Sequence, residues 1–419
     1  MARLPQPQRV LSAETLEAAR GPLLLVLVAG LAVSISLAQI ALGVLAAWVL
    51  LARRAGVLGR LRWPLLAPIT AFAVWSVVAV LASEQPAVGA WDLKNLLILG
   101  AIVVIVNALP EPKAARRFAL WLLIALTVAA LFGLLQVAIC PGPEAAGTST
   151  VIVGKFLKKC TRARGFYSIY MTLAGVVAMM LTSALPRLAR LGPDTRWLAP
   201  AWLAGGAALG FTYVRGAWLG FAAGALAVIA GLGRRGLVAA AALLIVAGGL
   251  VLALPTIRAR VETIGDPNND TTRDRMAMML VGFDIVAAHP VTGIGPEGVK
   301  RVYPKLVPPE GMRRSTSHLH NTPLQIAAER GLVGLAAWLW IFVAFFRRAG
   351  AVWRQLPASA GDDRVVVLGS LAAVVTFLVG GLFEYNFGDS EVLMVAIALM
   401  ALPFAVAGDR VPADACVSA

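Results

Sequence analysis

Two of the chain's three histidines lie two residues apart in Ser317-His318-Leu319-His320-Asn321-Thr322-Pro323-Leu324-Gln325, where a long polar segment gives way to a strongly apolar run. An imidazole there suits general-base work, because it exchanges a proton near neutral pH. The bland alternative is a helix N-terminus whose imidazole binds backbone, with Thr316 or Ser317 as the cap. On a helix, residues two apart differ in direction by about 200°, so only one of His318 and His320 is expected to point into a shared site. The residues alone leave open which one. His289, just before Pro290, reads as a polar cap at the end of an amphipathic helix.

Arginine is the natural companion of such a base when the leaving group is a phosphate, since its planar fork pairs with phosphate oxygens and stays charged. Three stretches supply it: Thr161-Arg162-Ala163-Arg164-Gly165, Tyr213-Val214-Arg215-Gly216-Ala217-Trp218 and Thr271-Thr272-Arg273-Asp274-Arg275. The last opens a helix on which Met276, Met279, Leu280, Phe283, Ile285 and Val286 give a broad apolar face. Each arginine also has a bland reading. Arg162, Arg164, Arg313 and Arg314 suit anchorage to anionic lipid, and Arg273 can pair with Asp270 or Asp274. Arg215 differs, because it sits in a tight turn at a membrane edge, where a charge is costly. With no CxxC, no multi-histidine metal spacing and no DxD or clustered carboxylates expected to face outward, neither a metal nor a cofactor is expected.

The elements that must position these residues follow from composition. Of 419 residues, 59% are hydrophobic and 14% charged, which excludes an ordinary soluble domain. A bilayer core about 30 Å thick needs roughly 20 apolar residues per helix. Runs of that kind recur along the chain and are too unbroken for barrel strands. The fold class is therefore all-α, a polytopic integral membrane protein. Spans are expected at about 21–34, 36–52, 64–83, 94–109, 118–139, 166–186, 197–213, 217–232, 237–255, 322–346, 365–383 and 390–407. That divides the chain into nine spans over 1–255, a periplasmic loop over 256–320, and three spans with a cytoplasmic tail over 321–419. Met1 to Arg20 reads as a polar cytoplasmic lead-in without a cleavable signal.

Twelve spans put Arg53/Arg54/Arg60/Arg62, Lys113/Arg116/Arg117, Arg187/Arg190/Arg196, Arg234/Arg235 and Arg347/Arg348/Arg354/Arg364 on the cytoplasmic side, as the bias for basic inner loops requires. The net charge of +15 is then a matter of membrane insertion and does not point to nucleic acid. The histidines and the three arginine stretches fall outside. Cys140 and Cys160 bracket one outer loop, where they can pair in an oxidising compartment or remain two thiols.

The segments "RMAMMLVGFDIVAAHPVTGIGPEG" and "HLHNTPLQIAAERGLVGL", with "YVRGAWLG" and "RARGFYSIYMTLAG" before them, resemble the O-antigen ligase and polymerase superfamily over about residues 160–345. The resemblance implies an integral-membrane glycosyltransferase of the GT-C type in the bacterial inner membrane, active on the periplasmic side. It implies an undecaprenyl-diphosphate-linked glycan as donor. The "HLHNxxLQxxxERG" wording is most similar to the ligases, whose acceptor is the lipid A core. By motif, His320 and Arg215 match catalytic positions. Arg275 and, through the earlier motif, Arg164 match as well and are expected to bind substrate, with Arg273 and His318 added as candidates from their own positions. A polymerase, a protein O-oligosaccharyltransferase and a transporter or flippase of lipid-linked anions are the alternatives.

Overall fold

The computed structural model describes residues 12–140, 160–190, 192, 195–233, 255–262, 270–309, 311 and 313–408. Every regular element among them is a helix. They run α1 (Ala13–Val33), α2 (Ile35–Arg54), α3 (Leu66–Leu81), α4 (Pro86–Asp92), a 3-10 stretch (Leu93–Gly100), α5 (Ala101–Ala108), α6 (Pro112–Ala138), α7 (Tyr170–Leu188), α8 (Thr195–Thr212) and α9 (Arg215–Leu232). Three shorter or polar helices follow, α10 (Pro255–Glu262), α11 (Asp270–Ala288) and α12 (Gly298–Leu306). The chain ends with α13 (Thr322–Gln355), α14 (Gly361–Gly380) and α15 (Ser390–Ala407).

Nine helices among the described residues are long and apolar enough to cross a membrane, counting Pro86–Ala108 as one. The chain is thus a polytopic helical membrane protein. Of the other expected spans, the third is the shorter apolar helix α3 and the seventh is α8. The ninth, at 237–255, lies almost wholly outside the described residues. The long apolar run does divide near Ser34, which is extended, closes α1 and caps α2 by accepting from the Leu37 N–H. Two boundaries differ from expectation. α1 begins at Ala13, with Ser12 as its N-cap, so part of the polar lead-in is helical. The fourth span starts at Pro86 and passes through the 3-10 stretch before reaching α5.

α15 is buried along almost its whole length and forms the centre of the bundle, against α5, α6, α7, α13 and α14. Its sequence is apolar all round, as a helix without a lipid face should be. Salt bridges Arg116–Asp363 (2.6 Å) and Arg190–Asp362 (2.8 Å) lie at the end expected to be cytoplasmic.

At the other end α13 is broken. Gly331 has φ 67° and ψ −179°, which interrupts the helix after nine residues. A break releases backbone groups that must find partners elsewhere. The carbonyls of Ala328 and Glu329 accept the N–H groups of Ile294 and Gly295 (both 3.0 Å), and Trp75 Nε1 donates to the Arg330 carbonyl (2.8 Å). On the far side, the Leu332 N–H donates to the Pro290 carbonyl (2.8 Å). The stretch His289-Pro290-Val291-Thr292-Gly293-Ile294-Gly295 is thus the complement of the break, and Gly293 (φ 66°) and Gly295 (φ 85°) give it the curvature to fit. A Cβ on Gly331 would overlap the Val291 carbonyl.

The loop between α9 and α13 builds a small core of its own from Met278, Val281, Ile285, Val299, Tyr303, Leu319, Leu324 and Ala328. α11 is apolar on both sides. Ala277, Met278, Val281 and Ile285 face inward, while Met276, Met279, Leu280 and Phe283, expected on one apolar face with Ile285, are exposed. Gly282 decides the orientation, because it lets Leu324 approach where a Cβ would lie 2.6 Å from it.

Replacing Gly331 with alanine forces a positive φ on a side chain with no room. We expect a loss of about 2–3 kcal/mol or more in stability, read as a lowered Tm in detergent. Gly206→Ala, in open space on α8, should leave the Tm within a few degrees by comparison.

Candidate active site

The junction before α13 is neither a helix nor a simple strand. Leu319 turns into the loop core at 1% exposure, and His318 and His320 flank it on the opposite side, as alternate residues of an extended chain do. His320 then takes φ 51° and turns the chain into α13. Asn321 caps that helix by accepting from the Leu324 N–H (2.9 Å), and Gln325 reaches back to accept the Leu319 N–H (2.8 Å). The expectation that only one histidine points into a shared site is therefore corrected. Their ring centroids lie 4.4 Å apart.

What gathers them is Glu384, in the turn between α14 and α15. Glu384 Oε1 accepts from His320 Nδ1 (2.7 Å) and from His318 Nε2 (3.3 Å). The turn is tied to the junction by three further bonds: Thr322 N–H to the Gly381 carbonyl (2.7 Å), Thr322 Oγ1 to the Glu384 carbonyl (2.9 Å) and Asn321 Nδ2 to the Leu382 carbonyl (3.0 Å). Burial pushes the Glu384 carboxyl up, but hydrogen bonds from His318 and His320 and their positive charge outweigh it and hold it at about 2. An ionised carboxylate only accepts, so both imidazoles donate to it. That assigns the tautomers. When the rings are neutral, His318 Nδ1 accepts from the Ser317 hydroxyl (2.9 Å), so both its nitrogens are engaged, whereas His320 Nε2 has no hydrogen-bond partner among the described residues. One donor atom from each of His318, His320 and Glu384 lies within 4.8 Å of the others, a set able to hold a metal ion.

The trio opens on a cavity of about 920 Å³. Its walls include Ser168, Tyr170, Thr172, Lys300, Arg313, Asp389 and Glu391. The sequence reading that no carboxylates cluster outward is thus wrong. Glu384, Asp389 and Glu391 all line the cavity, carried by the turn "FEYNFGDSE", whose three acids in eight residues were the available signal. Asp389 accepts from Thr172 Oγ1 (2.6 Å) and caps α15 through the N–H groups of Glu391 and Val392 (both 3.1 Å). Arg313, read as a lipid anchor, is tied instead to Asp274: its N–H donates to Oδ1 at 2.9 Å, and Nε lies 3.4 Å from Oδ2.

The arginines expected here sit on neighbouring elements and do not line this cavity. Arg215 is the first residue of α9. Beside it, Val214 and Ala217 share a small cavity with Glu384 and Asn386, and Gly216 lies against Phe383, so close that an added Cβ would lie 2.5 Å from the Phe383 Cβ. Arg164 donates to the carbonyl of Ser168 (3.5 Å), a residue of the cavity wall. Arg273 and Arg275 flank Asp274 in the first turns of α11, Arg273 exposed and Arg275 half-buried. Cys140 and Cys160 are joined by a disulfide, with Cα atoms 5.5 Å apart.

The sign of the Glu384 shift gives a pH prediction. A depressed carboxyl stabilises the fold fully above its unfolded value near 4.5 and loses that contribution as pH falls through about 2. The Tm gap between wild type and Glu384→Gln should be widest above about pH 5 and close toward pH 2. A gap independent of pH in thermal melts would count against the ionised bridge.

Residues 199–339 match the family model described as O-antigen ligase. A comparison with curated proteins finds no match. The matched stretch holds the α9 arginine, α11, the HPVTGIGP turn and the two histidines, while Glu384 lies beyond it. The chain is accordingly a polytopic membrane protein, and the match over residues 199–339 to the O-antigen ligase model supports a function of the ligase and polymerase type.

Proposed function

We propose that the protein is an O-antigen ligase, moving a glycan from undecaprenyl diphosphate to a hydroxyl of the lipid A core. The observation that carries this reading is the 2.7 Å bond between His320 Nδ1 and Glu384, which leaves Nε2 as a base at the edge of a cavity that also holds Lys300 and Arg313. His320 Nε2 takes the proton of the acceptor hydroxyl as its oxygen attacks the anomeric carbon. The bond from that carbon to the diphosphate oxygen breaks, its electron pair leaves with the diphosphate, and the configuration inverts. Glu384 orients the imidazole and stabilises its charged form, the role a buried carboxylate plays beside a catalytic histidine. Lys300 and Arg313 offer the cavity's positive charge to the diphosphate. Arg215 and Arg275, with Arg164 and Arg273, are proposed to extend that field, and no step is routed through a metal. The Cys140–Cys160 disulfide and the basic inner loops support placing the site on the periplasmic face of the inner membrane.

Purified protein given lipid-linked donor and lipid A core acceptor in detergent should form the glycosidic bond, which a flippase would not. His320→Ala should slow transfer by about 10²–10⁴, the usual worth of a general base. His318→Ala should cost less, since His318 has both nitrogens engaged. Full transfer by folded His320→Ala would remove the base assignment. Arg215→Ala acting like wild type would remove that arginine from the diphosphate site. A second lipid-linked glycan offered in place of lipid A core tells polymerase from ligase.

A further inference from the structure

Behind the histidines lies a second, smaller chamber of about 200 Å³. Ser317, His318, Tyr385 and Gly388 line both cavities, so the two meet at that partition. The His318 and Tyr385 rings have centroids 5.8 Å apart. The chamber's polar lining is Asp92, Asn95, Glu297, Gln325, Glu329 and Arg330. Leu99 and Phe387 supply an apolar side.

Both cavities carry carboxylates, and they differ in the cation left for a ligand. In the chamber the one guanidinium is already spent: Arg330 donates to Asp92 (3.0 Å), Glu329 (3.3 Å) and Ser76 (3.1 Å) at 4% exposure. A diphosphate finds no uncommitted cation there, beside the carboxylates of Asp92 and Glu297. The main cavity carries the uncommitted Lys300 and the rim residue Arg313. What suits the chamber is a neutral, hydroxyl-rich ligand with one apolar face. Carboxylates and amides take its hydroxyls, and the leucine and phenylalanine side takes its C–H face. Tyr385 adds a phenol that burial pushes up, so it stays a donor. The volume corresponds to roughly six or seven waters at about 30 Å³ each, room for one pyranose ring.

We infer that this chamber is a saccharide subsite that takes one sugar ring of a glycan, setting the sugar on the Asp92–Glu297 side of His318 and the diphosphate on the Lys300–Arg313 side. The inference deepens the transferase reading and rests on it for the identity of the glycan. Its chemistry is separable, since binding of a single sugar needs no turnover.

The test uses the full chain in detergent. Saturation-transfer NMR with methyl glycosides of glucose, galactose, rhamnose and N-acetylglucosamine reads the chamber, and phosphorus line broadening of inorganic pyrophosphate reads the cation side. Wild type should give signal from at least one glycoside. Asn95→Phe, which fills the chamber, should weaken it by about tenfold or more while pyrophosphate broadening persists. Arg313→Ala should do the reverse. Glu297→Gln, at an exposed position, should weaken the sugar signal alone and decides the matter if Asn95→Phe fails to fold. No glycoside signal in wild type, or a signal unchanged in both chamber variants, overturns the inference. Sugar binding that follows this pattern in a protein unable to transfer glycan would instead sink the transferase reading and leave the subsite standing.

Discussion

The break in α13 at Gly331 is the constraint on which the histidine end of the bundle depends. A straight helix there would have no free carbonyls at Ala328 and Glu329 and no place for the 289–295 turn. The break creates an unmet hydrogen-bonding demand inside an apolar bundle, where each unpaired backbone group costs several kcal/mol. The turn meets that demand, and in doing so it docks the three-helix loop onto the membrane domain. Next to the break Arg330 meets Asp92, so the end of α4, where the 3-10 stretch of the fourth span begins, is held to α13 by a buried charge.

From that anchor the site is assembled in two halves that are distant in sequence. One is the junction before α13, whose backbone is shaped by the Asn321 cap and the Gln325 return bond. The other is the turn ahead of α15, whose position follows from α15 being the buried centre of the bundle. Thr322 and Asn321 join the halves through backbone carbonyls, which brings Glu384 under both imidazoles. A buried carboxylate shared by two histidines is stable only because it is paired, and the pairing distinguishes the two rings. His318 has both nitrogens engaged, while His320 keeps its Nε2 at the cavity.

Much of this was legible in the residues. The bilayer requires each span to satisfy its own backbone, so long apolar runs announce helices regardless of packing, and the positive-inside bias sorts their ends. The segment "HLHNTPLQ" stood out because it holds two of the three histidines where a polar segment meets an apolar run, and "HPVTGIGP" because its prolines and glycines end one helix and turn the chain back. Boundaries were less legible where polar residues continue a helix, as at Ala13 to Arg20, or where the helix tightens, as at Leu93 to Gly100. The side of α11 that packs inward was not legible at all, because both sides are apolar and only the close approach of Leu324 over Gly282 chooses between them.

By itself the sequence determined an all-helical membrane protein, a polar loop before α13 and a histidine junction with chemical promise, because hydropathy and local caps act within a few residues of the chain. Only the tertiary structure decided that Glu384 joins the histidines, that Lys300 and Arg313 line the cavity, and that a second, acidic chamber lies behind His318. Those outcomes depend on pairings across tens to hundreds of residues, such as Arg330 with Asp92 over a separation of 238. No local pattern encodes them; they exist only once the broken helix and the buried α15 have set where each turn must lie.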